Sequence, residues 1–137
     1  IELNNKKKDI YEHKDIQFIH DGQVRSCDVK SPKRLRHSDG EYLNGTWLEA
    51  VGPTGHPGWI YGKEDFVAFL KPDYKTFLCA TLEDLQHLWE SKNITNRTYM
   101  IETAWGNWYR RKNTKEKISL FTYDEIEQLP HTVKMVI

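Results

Sequence analysis

Apolar and polar positions fall into short β-type runs along the chain, and the first two runs are joined by Asp21-Gly22. Runs 15–20 and 23–30 flank that dipeptide, the strongest short-range signal for a two-residue type I′ hairpin. With Asp21 and Gly22 as the turn, His20 pairs with Gln23, Asp15 lies opposite Asp28, and His13 lies opposite Lys30. Residues 46–51 read as a strand with Trp47, Glu49 and Val51 on one face and Leu48 and Ala50 on the other. The nearly continuous apolar run 65–70 predicts a central strand covered on both sides. A further strand is expected at 76–80. Residues 81–90 have an N-cap at Thr81, acids in the first turn and an apolar stripe of Leu82, Leu85, Leu88 and Trp89. They predict a helix. Residues 97–105 and 118–121 read as strands, and Thr122-Tyr123-Asp124-Glu125 as a capping-box helix start.

The hairpin carries the first chemical signal. Directly opposed residues share a face, so the register sets Asp15 and Asp28 roughly 5 Å apart at Cβ, with Lys30 beside them. Two opposed carboxylates repel, so a shared proton, a neighbouring cation or a bound metal must neutralise them; Lys30 offsets part of one charge and a divalent cation both, and hard oxygen ligands suit Mg²⁺, with Mn²⁺ able to substitute. Glu49, on a face with Trp47 and Val51, needs a cation, a donor or a metal as its partner. Gly52–Gly58 is a turn-rich loop without the Lys-Ser/Thr and helix of a P-loop.

Charge narrows the class of partner only locally. The 137 residues have a formal net charge of zero, so no global field marks a nucleic-acid partner. Residues 1–37, however, hold nine Lys/Arg against six acids. Residues 1–14 are lysine-rich and polar, a frayed helix or a lead-in to the first strand. Lys33, Arg34 and Arg36 form a basic loop leaving the strand end that presents Lys30, suited to tracking phosphates. The segment 105–112 interleaves Trp105 and Trp108 with Arg110, Arg111 and Lys112, a pattern that could stack bases and contact phosphates. Two cysteines are too few for a disulfide framework or a Cys-type zinc site, and Cys27 is expected as a small buried thiol. No run reaches membrane-spanning length and no signal peptide is visible, so a cytoplasmic protein without a membrane partner is expected. A single domain over 1–137 is expected, since no repeat or linker divides the chain.

Asp15, followed after an intervening turn by Asp28-Val29-Lys30, resembles the PD-(D/E)xK nuclease superfamily of restriction-endonuclease-like and Holliday-junction-resolvase-like enzymes. The later order resembles its small phage-borne and bacterial members, and the resemblance spans about residues 12–90. It implies an α/β (α+β) fold, a mixed central β-sheet flanked by helices, and Mg²⁺-dependent hydrolysis of phosphodiesters, foremost in DNA. By that resemblance Asp15 and Asp28 ligate the metal with help from the Val29 carbonyl, and Glu49 holds a second ion or a metal-bound water. Lys30 positions the attacking water, helps its deprotonation and neutralises the transition state. A homodimer is expected if the protein cuts duplexes, and the host cytoplasm is the expected compartment if a phage encodes it. Two other readings stand beside this one: an inactive nuclease fold that binds nucleic acid or protein, and an RNA endonuclease using His13 or His20.

Overall fold

A computed structural model describes residues 2–3, 16–34 and 41–137. Asp21 and Gly22 both adopt positive φ, 53° and 74°, as a type I′ turn demands. Strands β2 (Ile16–His20) and β3 (Gln23–Lys30) pair antiparallel from Ile16 opposite Cys27 to His20 opposite Gln23, the register read from the turn. Asp15 and His13 lie outside the described residues. Strand β1 (Glu2–Leu3) pairs with β2. On the other side, β5 (Phe66–Leu70) runs parallel to β3, which sets Asp28 beside Val67 and Lys30 beside Phe69. Strands β6 (Thr76–Thr81) and β8 (Val133–Val136) follow antiparallel, giving the order β1-β2-β3-β5-β6-β8. A second, two-stranded sheet pairs β4 (Gly45–Val51) with β7 (Lys117–Thr122). Among the described residues, helices α1 (Leu82–Ser91) and α2 (Tyr123–Glu127) accompany the sheets in a mixed α/β fold of the α+β kind.

Register decides what each face of the large sheet meets. Val67, Phe69, Leu78 and Ala80 share one face and cluster with Leu48 and Ala50 of β4, Phe121 of β7 and the Leu82, Leu85, Leu88 and Trp89 stripe of α1. Asp28 and Lys30 belong to that same core-facing side by their pairing with Val67 and Phe69. Cys27 lies on the opposite face, buried, and its thiol is held in the neutral form by a hydrogen bond with Cys79 and by burial. Both helix caps predicted from sequence are present. Thr81 accepts from the Asp84 N–H, and Thr122 and Glu125 form a reciprocal capping box.

Three segments depart from the expected pattern. Residues 97–105 do not form a strand: after an isolated bridge between Arg97 and Trp108 the chain makes a 3₁₀ turn at Ile101–Thr103. The Thr98 hydroxyl takes the Met100 N–H at 3.2 Å, and such local bonding competes with a ladder. Trp59–Tyr61, in which the resemblance to nuclease members implies a strand, is also a 3₁₀ turn, bounded by Gly58 and Gly62. Strand β8 was unforeseen, because its residues are all exposed and their apolar pattern has no partner until β6 supplies one. Among the described residues no helix is long and apolar enough to cross a membrane.

Candidate active site

The site is built on the end of β3, where the strand leaves the core. Asp28 is 7% exposed, and its Oδ2 lies 2.7 Å from the Lys30 Nζ, two residues on along the same face. A carboxylate this deeply placed needs a cation, and alternation along the strand supplies one from next door. The Lys30 ammonium also lies 4.7 Å from the centroid of the Trp59 ring. That ring packs in turn against Phe69, the register neighbour of Lys30. The lysine is thus held between a carboxylate and an indole face.

Glu49 arrives from the other sheet. The register of β4 against β7 shifts between Glu49 and Val51, and the glycine-rich loop folds back along this irregular point. The Gly58 N–H donates to the Ala50 carbonyl at 2.9 Å, and the Trp59 N–H donates to Glu49 Oε1 at 3.3 Å. Only glycine fits at 58, because a Cβ there would meet the Glu49 carbonyl oxygen at 2.2 Å. Burial pushes the Glu49 carboxyl up and the nearby Glu116 adds to that, against the Trp59 N–H and the charges of Lys30 and Arg111. Trp59 therefore links the two layers, with its ring under Lys30 and its backbone on Glu49.

Glu116 was missed from the sequence. Its carboxylate is buried and receives three bonds from Arg111: backbone N–H and Nε to Oε1 at 2.9 and 2.7 Å, and Nη2 to Oε2 at 3.0 Å. Burial works against ionisation, but these donors prevail and hold the carboxyl below its ordinary range. The signal in the sequence is weak, a basic residue five positions ahead of an acid that a tight turn must bring together.

The predicted site residues fall into three groups. Asp28, Lys30 and Glu49 converge around Trp59, and Val29 sits between the first two on β3. Asp15 and Arg36 lie outside the described residues. Among the described residues no group of three or more His, Cys, Asp and Glu converges in a metal-holding arrangement. The basic and aromatic residues divide further. Lys33, Arg110 and Lys112 are exposed. Arg34 stacks 4.6 Å from the Tyr42 ring centroid and donates to the Tyr42 hydroxyl. Arg111 is committed to Glu116. Trp108 sits under the cations of Arg97 and Lys117, at 5.4 and 5.1 Å from its ring. Its indole N–H donates to the Thr95 carbonyl. Trp105 is 37% exposed.

The chain matches no protein-family model, no curated protein and no solved structure.

Proposed function

We propose that the protein is a metal-dependent endonuclease that hydrolyses phosphodiester bonds, foremost in DNA. The observation that carries this reading is the Lys30 ammonium, paired with Asp28 on its own strand and within electrostatic reach of Glu49 from the second sheet. A half-buried cation paired with one carboxylate and within electrostatic reach of another suits a phosphate becoming more negative in its transition state.

By its chemistry the donor set suits a hard divalent ion: Asp28 and Glu49 offer carboxylate oxygens at the border of the core, and burial raises the cost of leaving Glu49 charged without a cation. Asp28, the Val29 carbonyl and Glu49, joined by Asp15, would hold Mg²⁺ or Mn²⁺. When bound, that ion supplies polarisation of the scissile phosphate and charge stabilisation of the leaving oxygen. Lys30 positions the attacking water and offsets the added charge on the phosphate. Trp59 holds the ammonium over its ring and the Glu49 carboxylate on its N–H. Water adds to phosphorus, the bond to the leaving oxygen breaks, and the water's proton ends on that oxygen. Lys33, Arg110 and Lys112 are exposed cations available to phosphates.

Calorimetric titration with Mn²⁺, paired with a cleavage assay on DNA and RNA, tests this directly. The expected result is Mn²⁺ binding by the wild type, loss of it in Asp28→Asn, and cleavage that falls at least about a hundredfold in Lys30→Ala. Absence of Mn²⁺ binding, or equal binding by Asp28→Asn, would instead favour a binding protein of the same architecture. Cutting of RNA and not DNA would move the substrate without moving the site.

A further inference from the structure

The face of β4 that ends at Glu49 begins at Gly45, and a cavity opens beside that far end. By alternation Gly45, Trp47 and Glu49 share a face, covered by the segment running from Trp105 to Arg111. The Trp105 ring lies over Gly45, where a Cβ would meet it at 2.8 Å. Tyr109 packs on Trp47, with ring centroids 6.2 Å apart. Burial pushes the Glu49 carboxyl up, and Arg111 is close enough for its charge to oppose part of that rise. Four residues of strand, roughly 13 Å, therefore separate the cavity from the candidate active site.

That cavity is about 420 Å³, within the range of about 300–1,000 Å³ seen for small-ligand sites. Trp105, Gly106, Leu120 and Phe121 line it, with Lys92, Thr122 and Glu125 at its rim. The rim is not inert. Lys92 Nζ lies 3.0 Å from Glu125 Oε2, which leaves the ammonium two more protons and that oxygen a further lone pair. Glu125 Oε1 is already engaged by the Thr122 N–H and hydroxyl.

We propose that this cavity seats one unpaired nucleobase, so that the protein acts on single-stranded or flapped nucleic acid in preference to an intact duplex. The proposal rests on the endonuclease reading for its class of ligand and adds the form of nucleic acid. A nucleobase combines the properties the cavity asks for: a flat apolar face for the indole, and an edge with donors and acceptors for Glu125 and Lys92. An aliphatic chain would desolvate that ion pair and return no hydrogen bond. A base inside a duplex has both faces stacked and its edge paired, and extruding it costs a few kcal/mol; an unpaired base enters without that cost. The Trp105 ring already rests against Gly45, and its backbone bridges to Leu120. Little ordering remains for the ligand to impose.

Fluorescence anisotropy in EDTA, with a short labelled single strand and a blunt duplex of the same sequence, separates binding from cleavage. The wild type is expected to bind the single strand at least about tenfold more tightly, and Trp105→Ala to remove about tenfold of that affinity. Trp105→Phe should restore most of it, and duplex binding should change little in either variant. A melting curve accompanies each protein. If Trp105→Ala is unfolded, Lys92→Gln at the exposed rim carries the same comparison. Unchanged single-strand affinity in these variants, an equal loss for both ligands, or no binding by the wild type overturns the proposal. Single-strand binding through Trp105 by a wild type that cuts nothing would leave this proposal standing and remove the nuclease reading. Cleavage that is indifferent to Trp105 would do the reverse.

Discussion

Glu49 and Glu116 face each other electrostatically, yet their environments push them in opposite directions. Glu116 has Arg111 and sits below its ordinary value of 4.5, so the stability it contributes is complete above that value. It is lost as pH falls through the lower, folded-state value. Acid unfolding followed by tryptophan fluorescence should therefore show a shallower loss of stability below about pH 4.5 in Glu116→Gln than in the wild type. At neutral pH the same variant should be less stable by about 1–2 kcal/mol in urea, a figure kept small because the Arg111 side chain is 65% exposed. Glu49 has the opposite sign. Its folded value lies above 4.5, so in EDTA its charge is a burden at neutral pH that disappears as pH falls towards 4.5. Glu49→Gln should raise the melting temperature at pH 7 and lose that advantage on acidification. A melting temperature that does not rise at pH 7 would mean that Glu49 has a stronger partner than the Trp59 N–H.

At the scale of elements, the local rules carried most of the secondary structure and failed where long-range contacts competed. The Asp21-Gly22 turn, the Thr81 cap and the Thr122–Glu125 box all formed as read, because each is decided within four residues. Thr122→Ala should cost about 1 kcal/mol in chemical denaturation, since it removes the acceptor for the Glu125 N–H and one donor to its carboxylate. Residues 97–105 have strand-like composition but no neighbour to complete a ladder, and Thr98 and Thr103 hydrogen-bond to one another and to Met100 instead. The glycine-rich loop was legible as a turn but not as the clamp on Glu49. Gly58→Ala should destabilise the protein by about 1–3 kcal/mol, because the clash is with backbone that cannot swing aside. It should also displace Trp59 from under Lys30, read as a shift in tryptophan emission.

For the molecule as a whole, the candidate site joins two sheets that are otherwise held by the apolar core. Asp28 comes from the six-stranded sheet and Glu49 from the two-stranded one. An ion bound by both would cross-link the layers and stabilise the folded state by mass action. Mn²⁺ at a hundred times its dissociation constant should add about 2.7 kcal/mol, a rise of roughly 8–13 °C in melting temperature for a domain of this size. Asp28→Asn should abolish that rise, and a rise that persists would assign the ion to other ligands.

The sequence alone determined what depends on near neighbours. A type I′ dipeptide sets the register of its flanking strands, and alternation along β3 puts Asp28 and Lys30 on one face. The register that places Asp15 opposite Asp28 was read in the same way, and Asp15 itself lies outside the described residues. Only the tertiary structure decided that Trp59 would lie under Lys30 while holding Glu49, and that Arg111 would turn inward to Glu116. It alone also brought β8 to the edge of β6 and opened a cavity beside Trp105. The reason is the range of the forces. Turns, caps and alternation act over a few bonds and are written in consecutive residues, whereas burial and charge pairing act between segments that meet only after the chain has folded.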